Sequence, residues 1–321
     1  MLSPSSQRQL YPQFSEETLF VITPISNPKR YESRYRLYRE FAEYVNAQPN
    51  TELITVELTF GDRDFALKDV KNHIGVRCDS ELWHKENLIN IGASRLPTNW
   101  KYMAWIDADV KFARNDWAME TLHLLQHYSV VQMFSQATDL GPNHEGFFNA
   151  DGFVCSMEKY GVYRGPYSGK YGLTFHPGYA WAIRREAFDG VGGLIDSAIC
   201  GAGDHHMALA LYGKAKVSIP AKLKESPAYA EPILLWQERA ERVIQRNVGY
   251  VPGQLLHYWH GKKKDRRYKE RWQILADHSF DPRRDVVRDH QGLLRLAGTK
   301  PALRDDLRSY FSARNEDSID L

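Results

Sequence analysis

The stretch YMAWIDADV, residues Tyr102–Val110, decides the fold. Its first half, Tyr102–Ile106, is an apolar run typical of a buried strand, and the carboxylates Asp107 and Asp109 follow it directly. Carboxylates at a strand end lose favourable hydration unless something positive neutralises them. A divalent cation that bridges a diphosphate does this, because Mg²⁺ and Mn²⁺ prefer oxygen ligands and share them with phosphates. The stretch therefore predicts a strand that ends at a metal site, with an ordinary acidic turn as the alternative.

Strands and helices alternate on the N-terminal side of this stretch. Apolar runs predict strands at Thr18–Thr23 and Leu53–Phe60, and apolar positions at helical spacing predict helices over Tyr31–Val45 and Leu82–Leu96. Such an alternation predicts an α/β fold with a mostly parallel sheet flanked by helices. Ligands of these sheets bind at the carboxyl ends of the strands, which is where Asp107–Asp109 is expected.

The C-terminal half is less regular in sequence. Residues 141–177 are rich in Gly, Tyr, Asn and Pro and are predicted to be loops, with residues 165–172 as either a glycine-hinged lid or an ordered surface loop. A strand and the start of a helix are expected over Tyr179–Phe188, and a last strand over Leu255–His260. Beyond Asp281 we expect helices packed on the outside. The predicted organisation is a lead-in (1–17), a catalytic domain (18–275) and a C-terminal helical extension (276–321).

Composition narrows the class of protein. A formal net charge of +2 over 321 residues is too close to neutral for a dedicated nucleic-acid binder. The three cysteines, Cys78, Cys155 and Cys200, are odd in number and lack metal-type spacing, which favours free thiols in a reducing compartment. No stretch of ~20 apolar residues occurs, and residues 1–17 lack the apolar segment of a signal peptide. We therefore expect a cytoplasmic protein without a transmembrane segment.

Two histidines three residues apart, His257 and His260, end the apolar run near residue 260. Both imidazoles could turn toward one ion, and imidazole ligands would favour Mn²⁺ over Mg²⁺. Cations beside a metal would offset the charge of a departing diphosphate. Such cations follow the pair directly: Lys262, Lys263, Lys264, Arg266 and Arg267. Structural histidines and a solvated basic loop are the alternatives.

A glycine-containing turn, Gly201-Ala202-Gly203, leads into Asp204 at the expected start of a helix. Glycines let a backbone approach a ligand closely. Asp204 could then act as a general base that deprotonates an acceptor hydroxyl. The alternative is that Asp204 is only the N-cap of the helix.

Taken in order, these segments resemble the GT-A class of glycosyltransferases, in particular the catalytic domain of the β-1,4-galactosyltransferase family. The resemblance covers residues 21–271 as short matches. Each feature of the family is matched by one segment. The matches are the first strand and nucleotide loop (Val21–Arg34), a helix with a Leu-x-Asn-x-Gly pattern (Trp83–Gly92), the Asp-x-Asp (Asp107–Asp109), a strand and helix (Gly178–Asp196), the Trp-Gly-Gly-Glu-Asp region (Gly201–Leu211) and a pair of metal ligands (His257–His260).

The resemblance implies a role for each matching residue. Asp109, His257 and His260 would bind Mn²⁺ or Mg²⁺, and Asp204 would be the catalytic base. The residues implied at the nucleotide are Pro24, Arg30, Arg34, Asp62, Asn87, Asp107 and Lys263. The chain departs from the family where Gly203 replaces the Glu before the catalytic Asp and where the nearby Trp is absent, so the acceptor contacts of the family do not carry over.

The predicted activity is metal-dependent transfer of a hexose from a nucleotide diphosphate sugar, most simply a UDP-sugar, to an acceptor hydroxyl. Asp204 as the base implies inversion, although retention stays open, and the acceptor is a glycan, a small molecule or a modified nucleobase. One rival is a nucleotidyltransferase, which would more naturally carry a Gly-rich phosphate loop near the first strand. Another is a nucleic-acid-binding module that uses residues 257–272 and their aromatic side chains. The donor sugar and the oligomeric state stay open.

Overall fold

The computed structural model describes residues 17–161, 175–224, 226–268 and 270–320. The strands of these residues, in chain order, are β1 (Leu19–Ser26), β2 (Thr51–Phe60), β3 (His73–Cys78), β4 (Tyr102–Ile106), β5 (Val110–Phe112), β6 (Val130–Gln132), β7 (Gln136–Leu140), β8 (Gly146–Gly152), β9 (Phe175–His176), β10 (Ala180–Arg184), β11 (Val248–Tyr250), β12 (Gln254–His257), β13 (Val286–Arg288) and β14 (Leu294–Leu296).

The α-helices of the same residues are α1 (Glu32–Asn46), α2 (Lys85–Ala93), α3 (Trp117–Leu124), α4 (Phe153–Tyr160), α5 (Arg185–Val191), α6 (Gly203–Leu211), α7 (Ala215–Ser218), α8 (Pro227–Val243), α9 (Arg271–Asp277) and α10 (Pro301–Ser312). Short 3₁₀ turns lie at Ala221–Leu223 and Lys263–Arg266. No helix of the described ranges has the length and apolar character needed to cross a bilayer.

A seven-stranded sheet forms the centre, in the order β11-β6-β10-β4-β1-β2-β3. Strands β4, β1, β2 and β3 are parallel to one another, whereas β10 runs antiparallel to both β4 and β6. The predicted α/β fold with a mostly parallel sheet flanked by helices is thereby confirmed.

Both faces of this sheet are covered, which is why its central strands are continuously apolar. Side chains alternate between the faces along a strand. Phe20 and Ile22 of β1 accordingly join the core cluster that includes α2, α5, α6 and α8, and Leu19 and Val21 join the cluster that includes α1 and α3. The fully buried β4 also divides its side chains between the two clusters.

A second sheet, in the order β5-β12-β7-β8-β9, places the later motifs beside the end of β4. In its register, His257 of β12 stands opposite Val110 of β5 on one side and Asp139 of β7 on the other. The chain passes from the main sheet to the second sheet through the turn Asp107–Asp109, so this turn and His257 become neighbours.

Two sequence expectations differ from the observed elements. Within residues 141–177, predicted to be loops, the described part contains β8, α4 and β9; β8 is mostly exposed and lacks a clear apolar alternation. Beyond Asp281 the chain forms the hairpin β13–β14 before α10, so this extension is only partly helical. The predicted lid at residues 165–172 lies outside the described residues.

Candidate active site

A cluster of three potential metal ligands lies at the end of β4. One ligand atom each of Asp109, His257 and His260 lies within 4.8 Å of the others. The Nε2 atoms of the two imidazoles are 3.2 Å apart, and Oδ2 of Asp109 is 3.0 Å from Nε2 of His260. Ligand atoms that sit about 2.1 Å from one ion at roughly right angles are about 3 Å from each other, so this spacing fits a single cation.

Asp109 also carries a polar atom that needs a partner. Its Oδ1 is buried and has no hydrogen-bond partner among the described residues. A buried, unsatisfied carboxylate oxygen is costly, and a hard divalent cation is the partner that removes this cost. The donor set and the unpaired oxygen therefore fit a divalent cation.

Asp139, which the sequence did not single out, holds His257 in place. Its Oδ1 lies 2.7 Å from Nδ1 of His257 and accepts a hydrogen bond of 2.7 Å from the hydroxyl of Tyr179, while Oδ2 pairs with Lys263. Burial would raise the pKa of Asp139, but His257 and Lys263 hold that pKa well below its ordinary value. An ionised Asp139 only accepts, so Nδ1 of His257 carries the proton and the Nε2 lone pair is free for a metal.

Tyr179 connects this arrangement to the Asp107–Asp109 turn. Its carbonyl oxygen accepts a 2.9 Å hydrogen bond from the backbone N–H of Asp107, and its ring stacks on His176 with centroids 3.6 Å apart. Its φ of +71° is rare for a bulky residue and costs of order 1–3 kcal/mol. The surrounding contacts hold Tyr179 in this conformation, beside both Asp139 and the metal-ligand cluster.

The C-terminal segment contributes a further buried carboxylate, Glu316. Its Oε1 accepts hydrogen bonds of 2.7 Å from both Arg34 and Arg314, and its Oε2 lies 3.9 Å from Nδ1 of His260. Burial would raise the pKa of Glu316, but Arg34 and Arg314 hold it well below its ordinary value. The extension was expected on the outside of the protein, and the structure instead places this part of it against the site.

Asp107 is not part of the ligand cluster. Its Oδ1 pairs at 2.6 Å with Nζ of Lys85, a residue in the first turn of α2 that the sequence analysis missed. Burial raises the pKa of Asp107 although Lys85 opposes the shift. Asp107 therefore serves the site by binding Lys85.

Asp204 lies in the same cavity, in the first turn of α6. The N-cap of α6 is Ala202, so the expected capping role of Asp204 is not observed. Its Oδ1 accepts a 2.7 Å hydrogen bond from the N–H of His205. Burial would raise the pKa of Asp204, but Lys85 and His176 lower it overall, which leaves an ionised carboxylate able to accept a proton.

Gly203 makes room for a carboxyl group from another element. A Cβ at residue 203 would lie 2.5 Å from Cδ of Glu86, a residue of α2 that is 5% exposed. Burial raises the pKa of Glu86 to about 8, with Lys85 lowering it and Asp204 raising it. Where the resembling family has a Glu before its base, this chain thus has a glycine with the Glu86 carboxyl against it.

Most of these residues line one cavity of about 1240 Å³; Asp139, Glu86 and Gly203 are not among its described lining residues. Among the residues named from sequence, those that line it are Pro24, Arg34, Asp107, Asp109, Asp204, His257, His260 and Lys263. The Asp-x-Asp and the His-x-x-His are about 150 residues apart along the chain. Both motifs nevertheless line the same cavity as Asp204.

Three residues expected at the nucleotide are not among the described lining residues. Arg30 is exposed, in a turn closed by its own N–H to the carbonyl of Asn27. Asp62 is exposed at the end of β2, which β1 separates from β4. Asn87 is buried, and its amide binds Asp196, Gly292 and Leu294, so it fastens the β13–β14 hairpin to α2.

No protein-family model matches the sequence, and no curated protein matches it. Solved structures do show similarity. One is a Drosophila β1,4-galactosyltransferase 7 mutant in complex with manganese, UDP-Gal and xylobiose, at 13% identity over 62% of each chain, with a TM-score of 0.34. A second is S. aureus TarS 1-349 in complex with UDP-GlcNAc, at 10% identity over 77% of this chain and 60% of that chain, with a TM-score of 0.42.

A third is a putative nucleotide-diphospho-sugar transferase from Desulfovibrio desulfuricans G20, at 12% identity over 95% of this chain and all of that chain (100%), with a TM-score of 0.35. The chain spans about three fifths of the length of the first two structures. With identities of 10–13% and TM-scores of 0.34–0.42, the chemistry of this chain has to follow from its own residues.

Proposed function

We propose that this chain is a metal-dependent glycosyltransferase that moves a hexose from a UDP-sugar to an acceptor hydroxyl, with inversion. One observation carries the proposal. A cluster of Asp109, His257 and His260, with an unpaired buried carboxylate oxygen, shares a cavity with the ionised Asp204. A site for a diphosphate-bound cation and a general base are the two parts that such a transfer needs.

In this proposal the donor binds at the Asp109 side. Mn²⁺, when bound there, would neutralise the diphosphate and take up leaving-group charge. Arg266, whose Nη2 lies 3.1 Å from Nε2 of His260, adds a permanent positive charge beside the same cluster. Lys263 is half exposed and reaches the cavity while paired with Asp139, so it can also approach a phosphate.

Asp204 acts on the acceptor. Its carboxylate takes the proton from the attacking hydroxyl as that oxygen bonds to the anomeric carbon. The bond between the anomeric carbon and the diphosphate oxygen breaks, and its electron pair leaves with UDP. Attack from the face opposite the leaving group inverts the anomeric centre. Lys85, beside both Asp107 and Asp204, keeps the base ionised until the hydroxyl binds.

The nucleic-acid-binding alternative has less support. Within residues 257–272, Arg266 and Arg271 are buried and line the cavity, and the indole N–H of Trp259 donates to the carbonyl of Ser318. These side chains serve the interior of the site more than an open basic groove. We also propose a cytoplasmic location, supported by three buried, free cysteines.

The test is a thermal-shift panel of UDP, UDP-sugars, CTP and ATP with Mn²⁺ or with EDTA. A ligand that binds only the folded state raises the melting temperature, by an amount that grows with its concentration over its Kd. We expect UDP to stabilise the wild type only with Mn²⁺, and Asp109→Ala to lose this response while its melting temperature without ligand stays close to that of the wild type. An equal UDP response in Asp109→Ala, or stabilisation by CTP or ATP alone, would contradict the proposal.

A further inference from the structure

Two buried guanidinium groups on the cavity wall lack part of their expected partners. Arg266 is 7% exposed and Arg271 is 8% exposed, and the Nε of each has no hydrogen-bond partner in the described part of the chain. The ion pairs found among the described residues involve neither of them. A buried cation is costly unless an anion or hydrogen-bond acceptors compensate it, so each is a candidate to bind an anionic ligand.

The two arginines share contacts with Tyr268 and differ in their other neighbours. Arg266 lies beside the metal-ligand residue His260, so a donor diphosphate accounts for it. The Arg271 guanidinium lies 5.1 Å from the Tyr268 ring centre and 4.7 Å from that of Trp272. These aromatic contacts and a hydrogen bond with Tyr310 hold Arg271 in place but do not neutralise its charge.

Arg271 stands next to the turn that carries the proposed base. A Cβ at Gly201 would lie 2.9 Å from Nη1 of Arg271, and Gly201 has a φ of +94° that favours glycine. Asp204 follows three residues later in the same turn and helix start. Arg271 therefore contacts the segment that presents Asp204 to an acceptor.

A second side chain with an unpaired donor packs against the same glycine. The ring of Trp83 would lie 3.3 Å from a Cβ at Gly201, and its Nε1 is buried without a hydrogen-bond partner among the described residues. Trp83 and Arg271 both line the cavity, as do Lys222 and Lys224. Guanidinium and indole N–H groups only donate, so the ligand that satisfies them must supply acceptor oxygens.

We propose that Arg271 and Trp83 form an anion subsite for the acceptor, and that the acceptor carries a phosphate or a carboxylate near the hydroxyl that is glycosylated. This proposal rests on the proposed function, because it assumes that Asp204 marks the acceptor side. The anion accepts hydrogen bonds from Arg271 and Trp83 and holds the reacting hydroxyl within reach of Asp204.

The first experiment measures binding of inorganic phosphate to the full chain saturated with UDP and Mn²⁺, so that the donor side is filled. Quenching of tryptophan fluorescence is the readout, since Trp83 and Trp272 flank the subsite. We expect saturable binding by the wild type and about 10- to 100-fold weaker binding by Arg271→Gln, in line with the loss of charge-assisted hydrogen bonds. Arg267→Gln is the matched control: Arg267 is an exposed arginine of the same segment, and its variant should bind phosphate like the wild type.

Arg271→Lys covers the case in which the Gln variant fails to fold. It keeps the positive charge but lacks the forked donor geometry, so we expect weakened, measurable phosphate binding. Wild-type affinity in Arg271→Gln, or in Arg271→Lys if only that variant folds, would overturn the proposal. So would the absence of saturable binding by the wild type of phosphate, glycerol 3-phosphate, oligonucleotide and glucuronate alike.

Titrations with further compounds identify the chemical class of the anion. Glycerol 3-phosphate, a short oligonucleotide and glucuronate present a phosphate monoester, a phosphodiester and a carboxylate, and glucose is the neutral control. An Arg271-dependent response to any of the three anions supports the subsite and names its class, whereas a response to glucose equal to theirs contradicts it. If the wild type fails to bind UDP, the same phosphate titration is repeated in EDTA without UDP. Phosphate binding that depends on Arg271 then supports the anion subsite and contradicts the glycosyltransferase function. The absence of such binding contradicts both proposals.

Discussion

Replacing Asp139 by Asn should weaken Mn²⁺ binding without removing any metal ligand. In the wild type an ionised carboxylate lies 2.7 Å from Nδ1 of His257, fixes the proton there and makes Nε2 a better ligand. The amide keeps the shape of the side chain but loses the negative charge, and Lys263 loses its ion-pair partner. Loss of such an outer carboxylate costs about 10- to 100-fold in metal affinity, or about 1.4–2.8 kcal/mol.

The assay is titration with Mn²⁺ followed by electron paramagnetic resonance, which counts the free ion, with isothermal calorimetry as a second measurement. Asp151→Asn is the control, because Asp151 is a carboxylate of the neighbouring strand β8 that pairs with Lys159. We expect wild-type Mn²⁺ affinity in this control. If folded Asp139→Asn binds Mn²⁺ as tightly as the wild type, then Asp139 does not orient a metal ligand and the assignment of His257 loses its support.

Two further substitutions test the base side of the cavity. Asp204→Asn should lower kcat by about 10²–10⁴-fold, with UDP affinity nearly unchanged. Its free energy of unfolding should change by no more than about 1 kcal/mol, because only a charge near a helix terminus is lost. A variant that keeps more than about a third of wild-type kcat, with chemistry rate-limiting, excludes Asp204 as the base. Between its ordinary pKa of 4.5 and its raised pKa of about 8, Glu86 is protonated when folded and ionised when unfolded, so its share of stability falls as pH rises, by at most about 1.4 kcal/mol per pH unit. The free energy of unfolding of Glu86→Gln minus that of the wild type, measured by urea denaturation, should therefore be larger at pH 8 than at pH 5. The same difference at both pH values would show that Glu86 is ionised in the folded protein.

The parts of the fold that could be predicted from sequence are those with a strong local signal. β4 was predicted at its observed bounds because five buried residues run directly into two charged ones. The alternation of β1, α1, β2 and α2 was visible for the same reason, since each has a continuous run or a one-sided apolar pattern. β3 and β8 were missed because strands of mixed polarity have neither.

The supporting residues of the site could not be predicted, because their roles depend on long-range register. Asp139 meets His257 across 118 residues of chain through the pairing of β7 with β12. Glu316 meets Arg34 across 282 residues. Asp62 follows a strand as expected, but the strand order places β1 between that strand and β4, which sequence alone does not reveal.

Charge pairing within the cavity separates the residues that hold the structure from those left available for ligands. Of the acidic residues that line it, Asp107 is paired with Lys85, and Glu316 with Arg34 and Arg314.

The ion-pair partners of Asp109, within the described residues, are only the two imidazoles, and Asp204 has none. Fixed cations satisfy the first pair of carboxylates, whereas under the proposed function a metal ion and the proton of the acceptor hydroxyl would satisfy the second pair. The cations divide in the same way, since Arg271 lacks the carboxylate that Arg34 has. Under the proposed function, the unpaired charges mark what the cavity would bind: a divalent cation at Asp109, a proton at Asp204, and an anionic group at Arg271.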